Sequence, residues 1–291
     1  MQTIGVAIKP NDARARAVAG ELIAWLHGKN CTVLHDTFVS DVGDATSLAT
    51  MAERVDLMIV LGGDGTLLHV GRYFVGREIP ILGINLGRLG FLTDTPVGSM
   101  FDVVARVLAG DFKSKCHFSL AVQTYRDERL IAEGIALNDV VMQRGMVPRM
   151  IAFEMYIREQ FVFRLRADGL VLATPAGSTA YALSSGGPIV HPDMEAISVV
   201  PVCPHTLSNR PIVVPAADLI ELRLTESDGN SLLHLDGQEH VDLVIGDRVM
   251  VQRGASISLV YLPERHYYEV LRTKLNWAGL VEHKNDRDHG A

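Results

Sequence analysis

The sequence predicts an α/β domain built on a parallel sheet, a mainly antiparallel all-β domain after it, and a C-terminal helix returning to the first. Three observations carry that prediction. Over the first third, short apolar runs alternate with longer segments of helical period. From about residue 116 the period shortens to two, with turn-forming clusters between the runs. A helical pattern, "EVLRTKLNWAGL", then resumes at residue 269. The expected division is 1–115 for the α/β domain, with 262–291 packing back onto it, and 116–261 for the β domain.

Taken in order, "TIGVAI" (3–8) reads as a buried strand. "NDARARAVAGELIAWLHG" follows with an apolar stripe of Val18, Leu22, Trp25 and Leu26, Asn11 or Asp12 as N-cap, and Gly28 at its close. "CTVLHD" is a second strand, "SLATMAERV" a short helix, and "DLMIVL" a third strand. "TLLHVGRYFV" is helical from near Thr66, "IPILGIN" a strand, and "MFDVVARVLAG" a helix. Strands separated by helices of this length require crossover connections, which give a parallel, Rossmann-like sheet covered on both faces. Further on, "FSLAVQTYRDERLIAEGIAL" reads as two strands around a turn at 126–129. Phe153, Met155 and Ile157 alternate with polar neighbours, as do Phe161, Phe163 and Leu165, with Arg158 to Gln160 as the turn. The polar tail "EHKNDRDHGA" is expected to fray.

Composition narrows the class of protein. With 291 residues, 48% hydrophobic and 21% charged, the chain can bury a substantial core. Its net charge of -7 argues against nucleic acid as a partner, because phosphate binding leaves a basic footprint. The N-terminus lacks the zones of a signal peptide, and no apolar run nears the ~20 residues a membrane span needs. Cys31, Cys116 and Cys203 lie far apart, without the spacing of a zinc site, as expected of reduced thiols in the cytoplasm.

Two stretches carry chemistry. In "LMIVLGGDGTLLHV" (57–70) a strand meets a helix across Gly62, Gly63, Asp64 and Gly65. Ligands of open parallel sheets collect at such strand ends, and a helix N-terminus suits phosphate. The glycines are expected to allow positive φ and close ligand approach. A cradle for phosphate alone would avoid the carboxylate, so Asp64 fits a base that deprotonates an attacking hydroxyl, or a holder of a divalent cation. A helix cap through its side chain is the equal alternative on local grounds. The second stretch, "ADGLVLATPAGSTAYALSSGGPIVHP" (167–192), follows a strand with small and hydroxylated residues that supply hydrogen bonds, and Tyr181 adds a ring. A turn-rich loop between strands is its bland alternative. The two together point to nucleotide chemistry and leave the substrate class open.

"GGDGT", "NDVV" (138–141), "DGLVLATPAGSTAYALSSGGPI" and "PHTLSNRPIVV" (204–214) together resemble the bacterial NAD kinase family. The resemblance runs from "VAIKP" to "TKLNW", nearly the whole chain. "GGDG" alone is shared with diacylglycerol, sphingosine and 6-phosphofructo kinases, while "TPAGSTAY" is far more specific. The resemblance implies transfer of the ATP γ-phosphate to the 2'-hydroxyl of the adenosine ribose of NAD, with a divalent cation, Mg²⁺ by preference. Asp64 then corresponds to the proton acceptor and Gly65 to a position lining the NAD diphosphate; His69 sits where relatives vary. Asn138 and Asp139 correspond to an Asn-Glu pair contacting NAD, the acid here one methylene shorter. Arg149, Arg166 and Asp168 correspond to further positions of the NAD site, Arg166 being of the type that prefers NAD over NADH. Thr179, Ala180, Tyr181, Ala182, Leu183 and Ser184 correspond to the stretch that wraps the dinucleotide, with Ala176 where relatives often carry Thr. Gln238 corresponds to a contact from the β domain. The family further implies a homo-oligomer, dimer or tetramer, whose NAD site lies near a subunit interface.

Read without the resemblance, Asn138 and Asp139 could end a strand in an Asx-turn, and Arg149 and Arg166 could be solvated side chains. Asp168 and Gln238, each beside glycine, could be turn residues, and His191 and His205 read as structural. Two other functions fit the glycine–aspartate turn: a lipid or sugar kinase, and a non-catalytic dinucleotide sensor.

Overall fold

Leu57, Ile59 and Leu61 share one buried cluster with Ile4, Val6 and Ile8, while Met58 and Val60 share another with Ala7. That alternation, both faces apolar, is what a strand between two helical layers requires. A computed structural model describes residues 1–36, 38, 45–87, 89–145, 149–206 and 208–277. Its first part comprises β1 (Thr3–Ile8), α1 (Ala13–Gly28), β2 (Thr32–His35), α2 (Leu48–Arg54), β3 (Leu57–Leu61), α3 (Asp64–Gly71), β4 (Pro80–Asn85), β5 (Thr95–Pro96) and α4 (Met100–Leu108). β2, β1, β3 and β4 pair in parallel, in that spatial order. α1 and α4 cover one face, α2 and α3 the other.

The helices begin where their caps dictate. Asp12 accepts the Ala15 N–H at 3.0 Å and Ser47 accepts the Thr50 N–H at 3.2 Å. In α1, Ala15, Ala19, Leu22 and Leu26 are fully buried, a single stripe at helical spacing. Truncating Leu22 to Ala would cost about 2–5 kcal/mol. Gly28 is the last residue of this helix, as expected, and the left-handed residue beyond it is Asn30, with φ 59°.

The second part comprises β6 (Lys113–Arg126), β7 (Arg129–Ala136), β8 (Asp139–Arg144), β9 (Ile151–Ile157), β10 (Gln160–Ala167), β11 (Gly169–Ala173), α5 (Tyr181–Ser184), β12 (Ala196–Val202), β13 (Ile212–Pro215), β14 (Ile220–Glu226), β15 (Ser231–Leu235), β16 (Glu239–Leu243) and β17 (Arg248–Tyr261). The turns expected at 126–129 and 158–160 are present, with left-handed Asp127, Glu128, Arg158 and Glu159 as hairpin turns demand. β13, β12, β11, β8, β15 and β16 form one antiparallel sheet. Val140, Met142, Leu170, Leu172, Val199 and Leu233 on that sheet face Leu120, Phe153, Met155, Leu222 and Val249 on the other, and the apolar layer between them is the core of the β part.

That other sheet runs on into the α/β part. β17 pairs antiparallel with β6 and β14, then in parallel with β4 through Ser258–Pro80 and Leu259–Ile81. The sequence shows no sign of this continuity. Finally α6 (Tyr267–Leu275) follows a segment tied to the first part, where Glu264 pairs with Arg106 of α4 and Arg265 with Asp94. The helix stops at Asn276, whose φ of 53° is left-handed, earlier than the apolar pattern suggests. The tail beyond Trp277, and with it the expected fraying, lies outside the described residues. No helix among the described residues is long and apolar enough to cross a membrane.

Candidate active site

The glycine–aspartate turn joins the carboxyl end of β3 to α3. None of Gly62, Gly63 and Gly65 adopts a positive φ, against expectation. Gly62 is crowded instead: a β-carbon there would lie 2.5 Å from the Thr66 hydroxyl. Around Gly63 and Gly65 there is open space. The helix starts at Asp64, two residues earlier than expected, with Gly63 in the cap position and no side-chain cap.

Asp64 therefore does not cap its helix; its oxygens turn to the loop after β4. Oδ1 accepts the Leu92 N–H at 3.1 Å, the Thr93 N–H at 2.9 Å and the Thr93 hydroxyl at 2.8 Å. Among the described residues, Oδ2 accepts only the Phe91 N–H, at 2.8 Å. A carboxylate offers about four lone-pair sites, so Oδ1 is saturated while Oδ2 can take another donor. Gly90 permits this approach, since a β-carbon there would sit 1.9 Å from Oδ1. Sequence reasoning missed this loop. Its signal was "LGRLGFLT", a second glycine pair just past the neighbouring parallel strand, where a doubly wound sheet gathers its site.

The second glycine-rich stretch holds itself together with its own hydroxyls, among them those of Ser178 and Thr179, expected from the sequence to supply hydrogen bonds to a ligand. Thr174 donates to the Leu137 carbonyl at 2.7 Å, Ser178 to Pro175 O at 2.6 Å, and Thr179 to Ala176 O at 2.9 Å. Ser178 is fully buried and also accepts the Val190 N–H at 3.0 Å. Gly177 lies against Asn138, whose carbonyl oxygen would be 2.0 Å from a β-carbon. Ala182 is buried among Val141, Val171, Ala173 and Val200. Tyr181 and Ser184 are exposed, and Thr179, Ala180 and Leu183 are half-buried.

A third cluster joins the two parts. Asp236, in the β15–β16 turn, accepts N–H bonds from Leu137 at 2.9 Å, Asn138 at 2.7 Å and Asp139 at 3.1 Å. Burial, then the neighbouring Asp236 carboxylate, pushes Asp139 up to about 7. Burial also raises Asp236, against the three amides and Arg72. The Asn138 Oδ1 atom is buried without a partner among the described residues, in the wall of a cleft. Two residues past Asp236, the Gln238 side chain donates to the Gly65 carbonyl at 2.9 Å, joining the β part to the glycine–aspartate turn.

Two clefts flank the 175–181 segment. One, of about 460 Å³, is lined by Phe91, Leu92, Ala176 and Thr179 among others; the second, about 440 Å³, by Asn138, Asp139, Ala180, Tyr181 and Asp236. Tyr181 also borders a smaller recess with Asp168, which accepts from Arg144 Nε at 2.8 Å. His69 lies on the exposed side of α3, its ring edge against Tyr73. Arg149 is exposed and paired with Asp228 at 3.0 Å, and Arg166 is exposed on β10. Within one chain, neither arginine lines these clefts.

Comparison with known proteins decides the family. Residues 4–112 match the ATP-NAD kinase N-terminal domain, and residues 137–261 the ATP-NAD kinase C-terminal domain. The chain belongs to the NAD kinase family. It is 40% identical over 297 residues to the NAD kinase of Magnetococcus marinus, covering 98% of this chain and 97% of that one. To the NAD kinase of Saccharophagus degradans it is 46% identical over 265 residues, 88% and 90% of the two chains. A yeast NADH kinase solved in complex with NADH superposes with a TM-score of 0.86 at 29% identity, over 97% of this chain and 89% of the other. An NAD kinase from Archaeoglobus fulgidus, solved with ATP, shares the fold with a TM-score of 0.75 at 24% identity, over 94% and 99%. The two-part α/β and β architecture is thus that of the NAD kinases.

Proposed function

We propose that the protein is an NAD kinase, which transfers the γ-phosphate of ATP to the 2'-hydroxyl of the adenosine ribose of NAD and so makes NADP. One observation carries the reading furthest: the Gln238–Gly65 hydrogen bond brings the β part's cluster of Asn138, Asp139 and Tyr181 to the turn that carries Asp64. Asp64 Oδ2, with a lone pair open, accepts the proton of the 2'-hydroxyl as that oxygen bonds to the γ-phosphorus. The bond from phosphorus to the β–γ bridging oxygen breaks, and ADP leaves. The hydrogen bonds on Oδ1 fix the carboxylate's orientation. The free N–H groups and positive end of α3 favour the phosphates beside Gly65.

The ribose hydroxyls fall to Asn138 and Asp139, and the adenosine half to the 179–184 stretch beside Phe91. Ala182 can serve there only through its main chain, because its side chain is buried. No three His, Cys, Asp or Glu side chains converge among the described residues. A divalent cation, Mg²⁺, would be held by the ATP phosphates beside the glycine–aspartate turn, with Asp64 near by, and would supply charge neutralisation there. Arg149, Arg166 and Asp168 are assigned to the dinucleotide as it lies in a homo-oligomer, where the exposed arginines reach a neighbouring copy's ligand. Exposed Phe161 and Val162 on edge strand β10, and Ile212 and Val213 on edge strand β13, support such an assembly. The unpaired cysteines fit a cytoplasmic protein.

The deciding experiment is Mg-ATP plus NAD with purified protein, read out by an NADP-specific dehydrogenase. NADP should form, and Asp64→Asn should lower kcat by about 10²–10⁴-fold while NAD still binds. NAD binding without NADP would favour the sensor, and turnover of a lipid or sugar hydroxyl the other kinases. Near full-length similarity to NAD kinases disfavours both.

A further inference from the structure

α3 is touched at both ends by one turn of the β part. At its start Gln238 holds the Gly65 carbonyl. At its end stands Arg72, the residue following the helix, with a side chain only 11% exposed. Arg72 donates to the Ile135 carbonyl through Nε at 3.1 Å, pairs with Glu239 at 2.7 Å, and places Nε 3.8 Å from Asp236 Oδ2. Gly71 is pressed against Leu137, whose Cδ1 would be 2.9 Å from a β-carbon. Asp236 is a fully buried carboxylate that gathers three consecutive amides, 137–139, around itself. Its backbone is left-handed, φ 54°, as is that of Gly237, φ 64°, which directs the turn back toward that strand start.

A buried carboxylate is costly unless its oxygens are fully engaged. Three amides hydrogen-bond this one, and a guanidinium 3.8 Å away balances its charge. Capping β8 alone would not require the cation, and a helix end alone would not require a carboxylate from another sheet. The pair links two backbones that the proposed reaction must hold in register.

We propose that Arg72 and Asp236 are positioning residues, which set the helix carrying Asp64 against the backbone carrying Asn138 and Asp139. The proposal rests on the NAD kinase reading above. Neither residue touches the reacting atoms; each acts through its neighbour. In-line transfer is sensitive to such register, and a displacement of about 1 Å can cost 10²-fold.

The charge of Asp236 gives a second readout. It faces Asp139 from the β15–β16 turn, with Arg72 behind it, His234 on the same cleft wall and the Tyr181 N–H opposing the shift. Removing that charge should let Asp139 ionise at lower pH.

The test compares wild type with Asp236→Asn, which keeps the side chain's size and tolerates left-handed backbone, and with Arg72→Gln. Each variant should lose about ten- to a hundredfold in kcat, with a much smaller change in KM for NAD. The exposed variant Glu53→Gln, which loosens only a surface ion pair of α2 with Arg77, should keep wild-type kcat. NAD affinity measured by calorimetry across pH should show a wild-type midpoint near 7, displaced to lower pH in Asp236→Asn. If Asp236→Asn does not fold, the kcat and KM of Arg72→Gln decide. Variants that melt earlier but keep kcat per folded molecule, or a wild-type midpoint that is absent or unmoved, would overturn the proposal while leaving the kinase reading intact. A wild type that makes no NADP would overturn the kinase reading itself.

Discussion

The carboxylate of Asp64 lies where a β-carbon on residue 90 would stand, 1.9 Å from Oδ1. A side chain at Gly90 must therefore displace either the loop or the acid. Gly90→Ala should lower kcat by about tenfold to a hundredfold, as expected for a reacting group moved by about an ångström. Stability should fall by about 1–3 kcal/mol, the usual cost of overpacking. NADP formation and thermal unfolding, measured on the same preparation, check both.

Thr93→Val separates the orientation of Asp64 from its chemistry. The variant keeps the carboxylate and its amide bonds but loses the 2.8 Å hydroxyl bond to Oδ1 and the 3.0 Å bond from Asn85. A hydrogen bond to a charged group contributes about 1.5–3 kcal/mol, so the cost should show mainly as stability. Its loss of kcat should stay far below that of Asp64→Asn. Equal losses in the two variants would make Asp64 a pin for the loop rather than a base.

Asp139 should leave a signature in the stability of the ligand-free protein. Its folded value, about 7, stands above the unfolded 3.8, so the folded state holds the proton more tightly. The resulting stabilisation is fully present below about 4 and is lost as pH rises through about 7. Asp94, raised by burial to about 6, acts in the same sense. Stability from urea unfolding should thus decline from pH 5 to pH 8, each group contributing at most about 1.4 kcal/mol per pH unit. In Asp139→Asn the decline should be shallower, and an unchanged slope would contradict the assignment.

Gly177→Ala tests whether the second glycine-rich stretch positions Asn138. The new methyl group would meet a backbone carbonyl 2.0 Å away, which cannot yield by rotating a side chain. A loss of about 1–3 kcal/mol is expected, together with a raised KM for NAD. Differential scanning calorimetry and initial rates give the two answers.

Much of the fold was legible because its cause is local. Alternating apolar strands and helices, N-caps at Asp12 and Ser47, and turns at Asp127–Glu128 and Arg158–Glu159 are all written in short windows. The junction of β17 with β4 was not, because it joins residues almost 180 apart by two backbone pairs that no local pattern marks. At the site, Asp64 and the 175–184 segment stood out by residue type, and Gln238 only through the family resemblance. Gly90, Thr93, Arg72 and Asp236 did not, since each matters only through a neighbour brought to it by folding. The reason expected for the glycines of "GGDG" did not hold: room and crowding decide there, not left-handed backbone.

The β17–β4 junction also governs how the molecule can bend and how it can be divided. A hinge between the two parts would have to shear backbone hydrogen bonds within one continuous sheet, so substrate-linked movement falls to the loops around it. For the same reason, a fragment ending near residue 112 would lay bare the flank of β4 that β17 normally covers. Such a truncation should associate with itself through that open strand instead of folding as a free-standing half.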